Sequence, residues 1–418
     1  MGEHMIRVRK YAGLAAVMFS FMAPVAAVAQ ETIKVAYIDP LSGPFASGGD
    51  EFLKVFNVII ARQNALGGAL GRKFELVAFD DKLQPAEALI ALKSVTDQNI
   101  PFVMQCTGSN VGAALIDGVA KNNARNPRNR VLYLNCGALA TELTNENCDF
   151  WQFRFTSNVD MRAYTRVKAL PASIRSVYML NQDYLFGQSI QRDTRKWLEK
   201  LRPDIKIVAD ELMPFGKVQD FSSYVAKIKA SGAQSVVTGN YNRDLNLLIK
   251  AAVHAGLDVR FDTFLAHLIG GPTAIGAAGE NRLSSVVDYH GNVAVDHKSP
   301  EAEALSAEWR KTHDTDFSEL PFVTMFDMLA RAINQAKSTD PLKVALALEG
   351  MKVNDLLGQP NEMRKDDHQL LIPLYASVFT KDVKYDSEHT GFGWKTVTEA
   401  SAADLTLPTT CKMKRPAS

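Results

Sequence analysis

Short apolar runs alternate with amphipathic segments from about residue 33 to residue 156. Short apolar runs bounded by turn residues are typical of buried strands, whereas apolar positions three and four residues apart are typical of helices. The pattern therefore predicts strands over 34–38, 74–79, 102–105 and 131–135, separated by helices over 52–66, 85–99 and 111–122.

A second run of the same kind follows. It predicts strands over 176–180, 205–209 and 235–238, with helices over 186–201, 221–231 and 245–255. Strands that alternate with helices form parallel sheets with crossover helices. We therefore predict an α/β fold with two similar Rossmann-like lobes.

The pattern becomes less regular after residue 288. It still predicts helices over 301–311, 322–336 and 341–349 and a late strand over 371–379. No tandem repeat is visible, so the two halves resemble each other in pattern only.

The N-terminus predicts export. Three basic residues among the first ten precede an apolar stretch over 11–25, and Ala27-Val28-Ala29 has the small residues of a cleavage site. This combination is typical of a secretory signal peptide. We predict a signal peptide over 1–29 and a mature protein in a Gram-negative periplasm.

The net charge argues against nucleic-acid binding, and the cysteine content bears on disulfide bonding. Lys and Arg number 47 and Asp and Glu number 46, so the net charge offers no footprint for nucleic acid. The four cysteines allow up to two disulfides in an oxidising compartment. Cys136 and Cys148 are nearest in sequence, but three pairings are possible.

Small and hydroxyl-bearing residues follow the predicted strands of the first lobe, over 42–49, 106–110 and 137–141. Ligands of open parallel sheets bind beyond the carboxyl ends of the strands. Hydroxyls and free N–H groups at helix starts suit an anionic group, and a carboxylate is the natural candidate. A phosphate is not, since Gly49 and Asp50 stand where a phosphate loop needs Lys and Ser or Thr. Ordinary turns remain an alternative for each loop.

Aromatic and amide residues occupy the matching positions of the second lobe, over 181–187 and 239–244. Tyr184 and Tyr241 offer ring faces and hydroxyls, so the two lobes together could clamp a small molecule. Each tyrosine could instead be a packing residue.

The motifs at these strand ends occur in a characteristic order along nearly the whole mature chain. They are Leu41-Ser-Gly-Pro-Phe-Ala, Asn64-Ala-Leu-Gly-Gly, Gly71-Arg-Lys-Phe-Glu-Leu, Phe79-Asp-Asp, Thr107-Gly-Ser-Asn, Glu142-Leu-Thr, Tyr184-Leu-Phe-Gly, Asp220-Phe-Ser and Ala255-Gly-Leu. Together they resemble the leucine/isoleucine/valine-binding family of periplasmic solute-binding proteins with the type I fold, which serve ABC importers. A late motif over 363–369, followed by Pro373-Leu-Tyr375, is similar to one subgroup of that family.

The resemblance implies two lobes joined by a hinge of three crossings, which close around a ligand and then dock on ABC permease subunits. It predicts lobe boundaries of 30–156 plus 290–358 and of 157–289 plus 359–418. It implies neither cofactor nor metal. A ligand-sensing receptor domain for a signalling partner is the alternative. An enzyme is not expected, since the sequence has neither a zinc-protease motif nor a Gly-x-Ser-x-Gly motif.

The resemblance also assigns site residues. Ser109 matches the hydroxyl that binds the ligand carboxylate, and Gly137 and Leu139 match positions whose backbone groups assist. Tyr184 and Tyr241 match aromatics of the second lobe. The full predicted ligand-binding set is Phe45, Gly48, Ser109, Asn110, Gly137, Leu139, Tyr184, Tyr241, Asp244 and His267.

Departures from the family pattern bear on the ligand. Gly48 replaces an aromatic of some relatives, and Leu139 replaces a Thr. No carboxylate stands near Ala266 and His267, where relatives place a Glu for the ligand ammonium. Asp262 and Asp244 are the possible substitutes. Because an unpaired buried ammonium is costly, we hypothesise a ligand other than a standard branched-chain amino acid, such as an aromatic or aliphatic carboxylate or an amide.

Overall fold

A computed structural model describes residues 1–2, 31–313 and 315–416. Apart from its first two residues, the predicted signal peptide lies outside the described residues. The described residues from Thr32 onwards form one compact unit. Within the described part of the chain, no helix is long and apolar enough to cross a membrane.

The first sheet has five parallel strands in the order β2-β1-β3-β4-β5. Its strands β3 and β4 are buried along their whole length, as continuous apolar runs of parallel sheets are. The elements in chain order are β1 (Ile33–Asp39), α1 (Ala46–Ala65), β2 (Phe74–Asp80), α2 (Pro85–Asp97), β3 (Phe102–Gln105), α3 (Ser109–Arg125), β4 (Leu132–Asn135) and β5 (Gln152–Arg154). The strands and helices predicted for this region are confirmed, within a few residues at most ends, and β5 is an addition.

The second region also alternates strands and helices. Its elements are α4 (Val159–Lys168), β6 (Ser176–Gln182), α5 (Leu185–Leu201), β7 (Lys206–Met213), α6 (Ser222–Ser231), β8 (Ser235–Thr238), α7 (Asn242–His254), β9 (Arg260–Thr263), α8 (Gly271–Ile275), β10 (Leu283–Val287) and α9 (Gly291–Asp296). The predicted strands and helices are again present. The pattern did not predict α4, β9, α8, β10 and α9.

The last region completes both halves. Its elements are α10 (Pro300–Thr312), α11 (Leu320–Ala336), α12 (Pro341–Leu348), β11 (Lys352–Asn354), β12 (Pro360–Met363), β13 (Leu370–Leu371), β14 (Leu374–Thr380) and β15 (Gly393–Ala400). Strands β14 and β15 join the second sheet in antiparallel fashion, so that its order is β15-β14-β10-β9-β8-β6-β7. Strands β11 to β13 form a small antiparallel sheet.

We call the elements around the five-stranded sheet lobe 1 and those around the seven-stranded sheet lobe 2. Helix α11 belongs to lobe 1, since Phe322 stacks on Phe56 of α1 with ring centroids 4.8 Å apart. The chain passes between the sheets after β5, after β10 and between β13 and β14. The predicted lobe boundaries stay a prediction; Met363 and Leu370 pack in the same core as the first sheet.

Each sheet reverses its strand order once near its N-terminal strand, between β1 and β3 in lobe 1 and between β6 and β8 in lobe 2. Such a switch point leaves a crevice at the carboxyl ends of the two strands, because their following helices lie on opposite faces. Ser109 follows β3, Tyr184 follows β6 and Tyr241 follows β8. The fold thus places the predicted strand-end loops at both crevices.

Two disulfides complete the fold. Cys106 pairs with Cys136, with Cα atoms 4.5 Å apart, and links the ends of the neighbouring strands β3 and β4. Cys148 pairs with Cys411 and ties the C-terminal segment to lobe 1. The pair nearest in sequence, Cys136 and Cys148, is therefore not the one that forms.

Candidate ligand-binding site

Two contiguous chambers lie between the lobes. The empty space of the first is about 580 Å³ and that of the second about 610 Å³, and both figures include space that is open to solvent. Residues that line both chambers include Thr107, Tyr241, His267 and Glu319. Of the predicted set, the first chamber contains Ser109, Gly137, Leu139, Tyr184, Tyr241 and His267, and the second contains Gly48, Tyr241 and His267.

Lobe 1 lines the first chamber with small residues and backbone. Ser109 is the first residue of α3, and its Oγ accepts a hydrogen bond from the Ala140 N–H at 3.1 Å. Position 137 requires glycine because the backbone of Cys106 lies very close: a Cβ at Gly137 would lie 2.5 Å from the carbonyl oxygen of Cys106. The result is a wall of hydroxyl and backbone groups that can donate to a carboxylate.

A buried carboxylate positions part of this wall. Asp39 at the end of β1 accepts hydrogen bonds from the Thr107 N–H at 2.7 Å and from its hydroxyl at 3.0 Å. Burial raises the pKa of Asp39 to about 6, although these hydrogen bonds and that from Tyr37 lower it. Asp39 therefore orients Thr107 without lining the chambers itself.

Lobe 2 contributes a pair of tyrosines. The hydroxyls of Tyr184 and Tyr241 lie 3.2 Å apart, and the Tyr184 ring stacks on Phe215 with centroids 4.3 Å apart. Burial raises the pKa of both phenols. They are therefore neutral at physiological pH and can cover a ligand with ring faces while donating hydrogen bonds.

A buried ion pair forms another part of the first chamber. Arg162 of α4 pairs with Asp288, which follows β10, and both side chains are almost fully buried. Arg162 also donates to the Ser157 hydroxyl and to two backbone carbonyl oxygens, and Asp288 accepts from the hydroxyls of Thr156 at 3.0 Å and Ser157 at 2.7 Å. Sequence reasoning missed both residues. They compensate each other and leave little free charge for a ligand.

Glu319 and His267 line both chambers from opposite lobes. Burial and the neighbouring Asp288 raise the pKa of Glu319 to about 7. Burial and Arg162 hold the pKa of His267 well below its usual value, so the imidazole is neutral. Glu319 is thus a carboxylate of the site that the sequence did not indicate.

Three residues of the predicted set, Phe45, Asn110 and Asp244, do not line either chamber. Phe45 packs on Phe215 and Tyr241, with ring centroids 4.9 and 5.8 Å away. The Asn110 side-chain oxygen accepts from the Leu185 N–H at 3.3 Å. These two residues hold the lobes together rather than line the cavity.

Asp244 and Asp262, the suggested partners of a ligand ammonium, are engaged elsewhere. Asp244 accepts from Gln182 Nε2 at 2.8 Å and from the Gly216 N–H at 2.9 Å. Asp262 forms a buried ion pair with Arg166 at 3.1 Å. Neither residue lines the chambers, so their role as partners of a ligand ammonium stays a prediction that this geometry does not favour.

Two α/β lobes with a shared cleft, hydrogen-bond donors on one wall and aromatic rings on the other define a solute-binding protein of two-lobed architecture. The family described as periplasmic binding protein matches residues 32–382. The chain belongs to this family, as a type I member of its branched-chain amino acid group. The resemblance found in the sequence is confirmed, and so is the prediction of a binding protein rather than an enzyme.

Relatives match over almost the full chain. The Leu/Ile/Val-binding protein homolog 4 of Brucella melitensis is 30% identical over 423 residues, which cover 98% of this chain and 99% of that protein. The crystal structure of the leucine-, isoleucine-, valine-, threonine-, and alanine-binding protein of Brucella ovis, in closed conformation, superposes with a TM-score of 0.83 at 28% identity, covering 92% of this chain and all of that one. A solute-binding protein of R. palustris in complex with 4-hydroxybenzoate shares the fold, with a TM-score of 0.76 at 19% identity over 90% of this chain and 98% of that one.

Proposed function

We propose that this protein is the periplasmic solute-binding component of an ABC importer. It closes around a small amino acid or another carboxylate ligand and delivers that ligand to membrane permease subunits. The observation that carries the proposal is the meeting of the Ser109 wall and the Tyr184 and Tyr241 wall in one cleft.

The geometry supports a closing mechanism. A ligand that contacts both walls stabilises the closed form by the contacts it lacks in the open form. Direct contacts also join the two lobes: Glu142 of lobe 1 pairs with Arg192 of α5 and accepts from the Ser189 hydroxyl. Burial would raise the pKa of Glu142, but these partners hold it below its usual value. These contacts hold the two lobes together in the absence of a ligand, and the contacts of a bound ligand add to them.

The relatives support the ligand class. The Brucella melitensis relative is named for leucine, isoleucine and valine, and the Brucella ovis protein also for threonine and alanine. The likeness to the hydroxybenzoate-bound protein is one of fold alone and does not choose between amino acids and aromatic acids. We therefore include both in the proposal.

A thermal-shift screen tests the ligand class. The mature protein is heated with amino acids, aromatic acids, dicarboxylates and amides in turn. A ligand at a hundredfold excess over its dissociation constant stabilises the fold by about 2.7 kcal/mol, which is readily measured. Binding of each hit is then quantified by calorimetric titration.

The variant Ser109→Ala tests the proposed carboxylate contact. Loss of a hydrogen bond to a charged group weakens binding by about 1.5–3 kcal/mol, or roughly ten- to a hundredfold in Kd. Ser223→Ala, at an exposed position of α6, is the matched control and should bind normally. Equal affinities of the two variants would remove Ser109 from the site.

Uptake of the labelled ligand by cells tests the transport role. Deletion of the gene should abolish uptake at low ligand concentration, and the intact gene should restore it. Unchanged uptake together with a lost cellular response to the ligand would favour the sensing alternative.

A further inference from the structure

Among the described residues, Glu319 forms no ion pair, unlike Asp288 and Asp316 of the same chambers. It precedes α11 directly but does not cap that helix with its side chain. The neutral Ser318 hydroxyl donates a hydrogen bond to Glu319 Oε1 at 3.0 Å. A half-buried carboxylate with one neutral donor is poorly compensated.

The remaining chamber carboxylates are satisfied. Asp288 is paired with Arg162, and Asp316 with Arg310 at 2.6 Å. Glu388 accepts from the N–H groups of Gly270 and Thr273 at 2.6 and 2.8 Å. Glu51 accepts from the Thr315 hydroxyl and lies 3.7 Å from Lys54.

We propose that Glu319 is a specificity-determining residue that binds a cationic group of the ligand, an ammonium in the simplest case. The inference rests on the proposed solute-binding function. The ligand carboxylate then lies against Ser109 and its backbone neighbours, and the ammonium lies where Glu319 meets both chambers. Glu319 then takes the role of the Glu that relatives place near Ala266 and His267 and that this sequence lacks there.

The charges around Glu319 agree with this role. Arg162 is held by Asp288 and by backbone carbonyls, and its charge lowers the pKa of Glu319 by less than burial and Asp288 raise it. The imidazole of His267 is neutral and does not repel a cation. Besides the neutral Tyr184 and Tyr241, carboxylates predominate among the charged and titratable groups that line the chambers with Glu319. These groups are Glu51, Arg162, His267, Asp288, Asp316 and Glu388.

The proposal couples ligand binding to a proton. The pKa of Glu319 in the ligand-free protein is raised to about 7, by burial and by Asp288. A bound ammonium favours the ionised carboxylate, so binding below this pKa must release a proton. Affinity for a cationic ligand should therefore fall as the pH falls, by about tenfold between about pH 8 and about pH 6.

Calorimetric titration with paired probes tests the proposal. L-leucine is compared with 4-methylpentanoate, and L-phenylalanine with 3-phenylpropanoate, because each pair differs in the ammonium alone. Titrations are made near pH 8 and near pH 6 with the wild-type protein, with Glu319→Gln and with the conservative Glu319→Asp. Glu308→Gln, which makes the same charge change on an exposed face of α10, is the control.

We expect the amino acid of at least one pair to bind more tightly than its deaminated partner. Glu319→Gln should weaken that amino acid by at least about tenfold and remove the pH dependence, while the deaminated acid changes little. Glu319→Asp should keep the pH dependence with intermediate affinity. Ligand-free thermal unfolding of each variant verifies that it is folded.

Other results overturn the assignment. If the deaminated acids bind as well as the amino acids, or if Glu319→Gln binds amino acids normally, Glu319 does not recognise a cation, whereas the solute-binding function stands. If all four probes fail and the screen yields a ligand without a cationic group, the same conclusion holds. If no compound of any class binds, the proposed function fails as well.

Discussion

At the scale of single residues, Asp81 is a poorly satisfied carboxylate within the part of the chain that the structure describes. It is fully buried; one oxygen accepts from the Leu83 N–H at 2.7 Å and the other has no hydrogen-bond partner. Burial and the nearby Asp39 raise its pKa to about 8. Its charged form is therefore unfavourable in the folded protein.

The ligand-free protein should lose stability as the pH rises from about 6.5 to about 8.5. Asp81 and Glu319 bind protons more tightly in the folded than in the unfolded chain, so their ionisation favours unfolding. Asp81 has this effect up to about pH 8 and Glu319 up to about pH 7. Below about pH 6.5 the lowered pKa values of His267 and His290 act in the opposite direction. The expected loss is about 1–2 kcal/mol, measured by thermal unfolding across this range.

The variant Asp81→Asn should lose most of this dependence of folding stability on pH. The amide keeps an oxygen for the Leu83 N–H and carries no charge at any pH. Asp97→Asn, at an exposed position of α2, should retain the wild-type slope. A variant Asp81→Asn that loses stability with pH as steeply as the wild type would show that Asp81 is not the source.

Individual site residues were predictable only where local sequence determines their position. Ser109 begins a helix directly after a strand, and Tyr184 and Tyr241 each precede one, so the strand-end rule found them. Glu319 lies more than 200 residues beyond Ser109, before a helix that packs on α1 of lobe 1. Nothing in its neighbourhood in sequence indicates that it faces the cleft.

At the level of secondary-structure elements, helix α4 shows why apolar periodicity did not predict every helix. Nearly all of its residues are buried, including Arg162 and Arg166. These arginines pair with Asp288 and Asp262 of the second sheet region. A charged residue normally indicates a solvent-facing position, so a helix with two buried arginines does not show an amphipathic pattern. Only the tertiary partners make such a helix stable.

The C-terminal segment is an element held by covalent and polar contacts instead of regular structure. Cys411 is bonded to Cys148, and Thr409 and Thr410 bond to Asn145 beside it. The disulfide closes a loop with a sequence separation of 263 residues. Such a bond should stabilise the fold mainly by restricting the unfolded chain.

The double variant Cys148→Ser with Cys411→Ser should therefore lose about 2–4 kcal/mol of unfolding free energy. Denaturant unfolding measures this loss, and limited proteolysis should remove residues near 411 from the variant first. Ligand affinity is the internal control, because none of these residues lines the chambers. An unchanged unfolding midpoint with an intact C-terminus would contradict the prediction.

Contacts across the cleft govern the behaviour of the whole molecule. Phe45 lies on the loop after β1 of lobe 1, yet its ring is buried among lobe 2 aromatics, Phe215 and Tyr241. Its burial depends on closure, since opening would separate these rings. Phe45 therefore contributes to the closed state without lining the chambers.

Phe45→Ala should weaken ligand binding by destabilising the closed form. Loss of a buried aromatic contact of this kind corresponds to about 1.5–3 kcal/mol, so we expect a Kd higher by roughly ten- to a hundredfold. Small-angle scattering should show less compaction on ligand addition than in the wild type. Ligand-free thermal unfolding should change little, and a large drop there would assign Phe45 to the core of lobe 1.

The sequence by itself determined the alternation of strands and helices, the two α/β lobes and the loops at the strand ends. These follow from apolar periodicity and turn residues, which act over a few neighbours in the chain. The tertiary structure decided the disulfide pairing, the buried arginines of α4 and the placement of Glu319 at the cleft. Each of these joins segments far apart in sequence, and their proximity arises only when the sheets and helices pack.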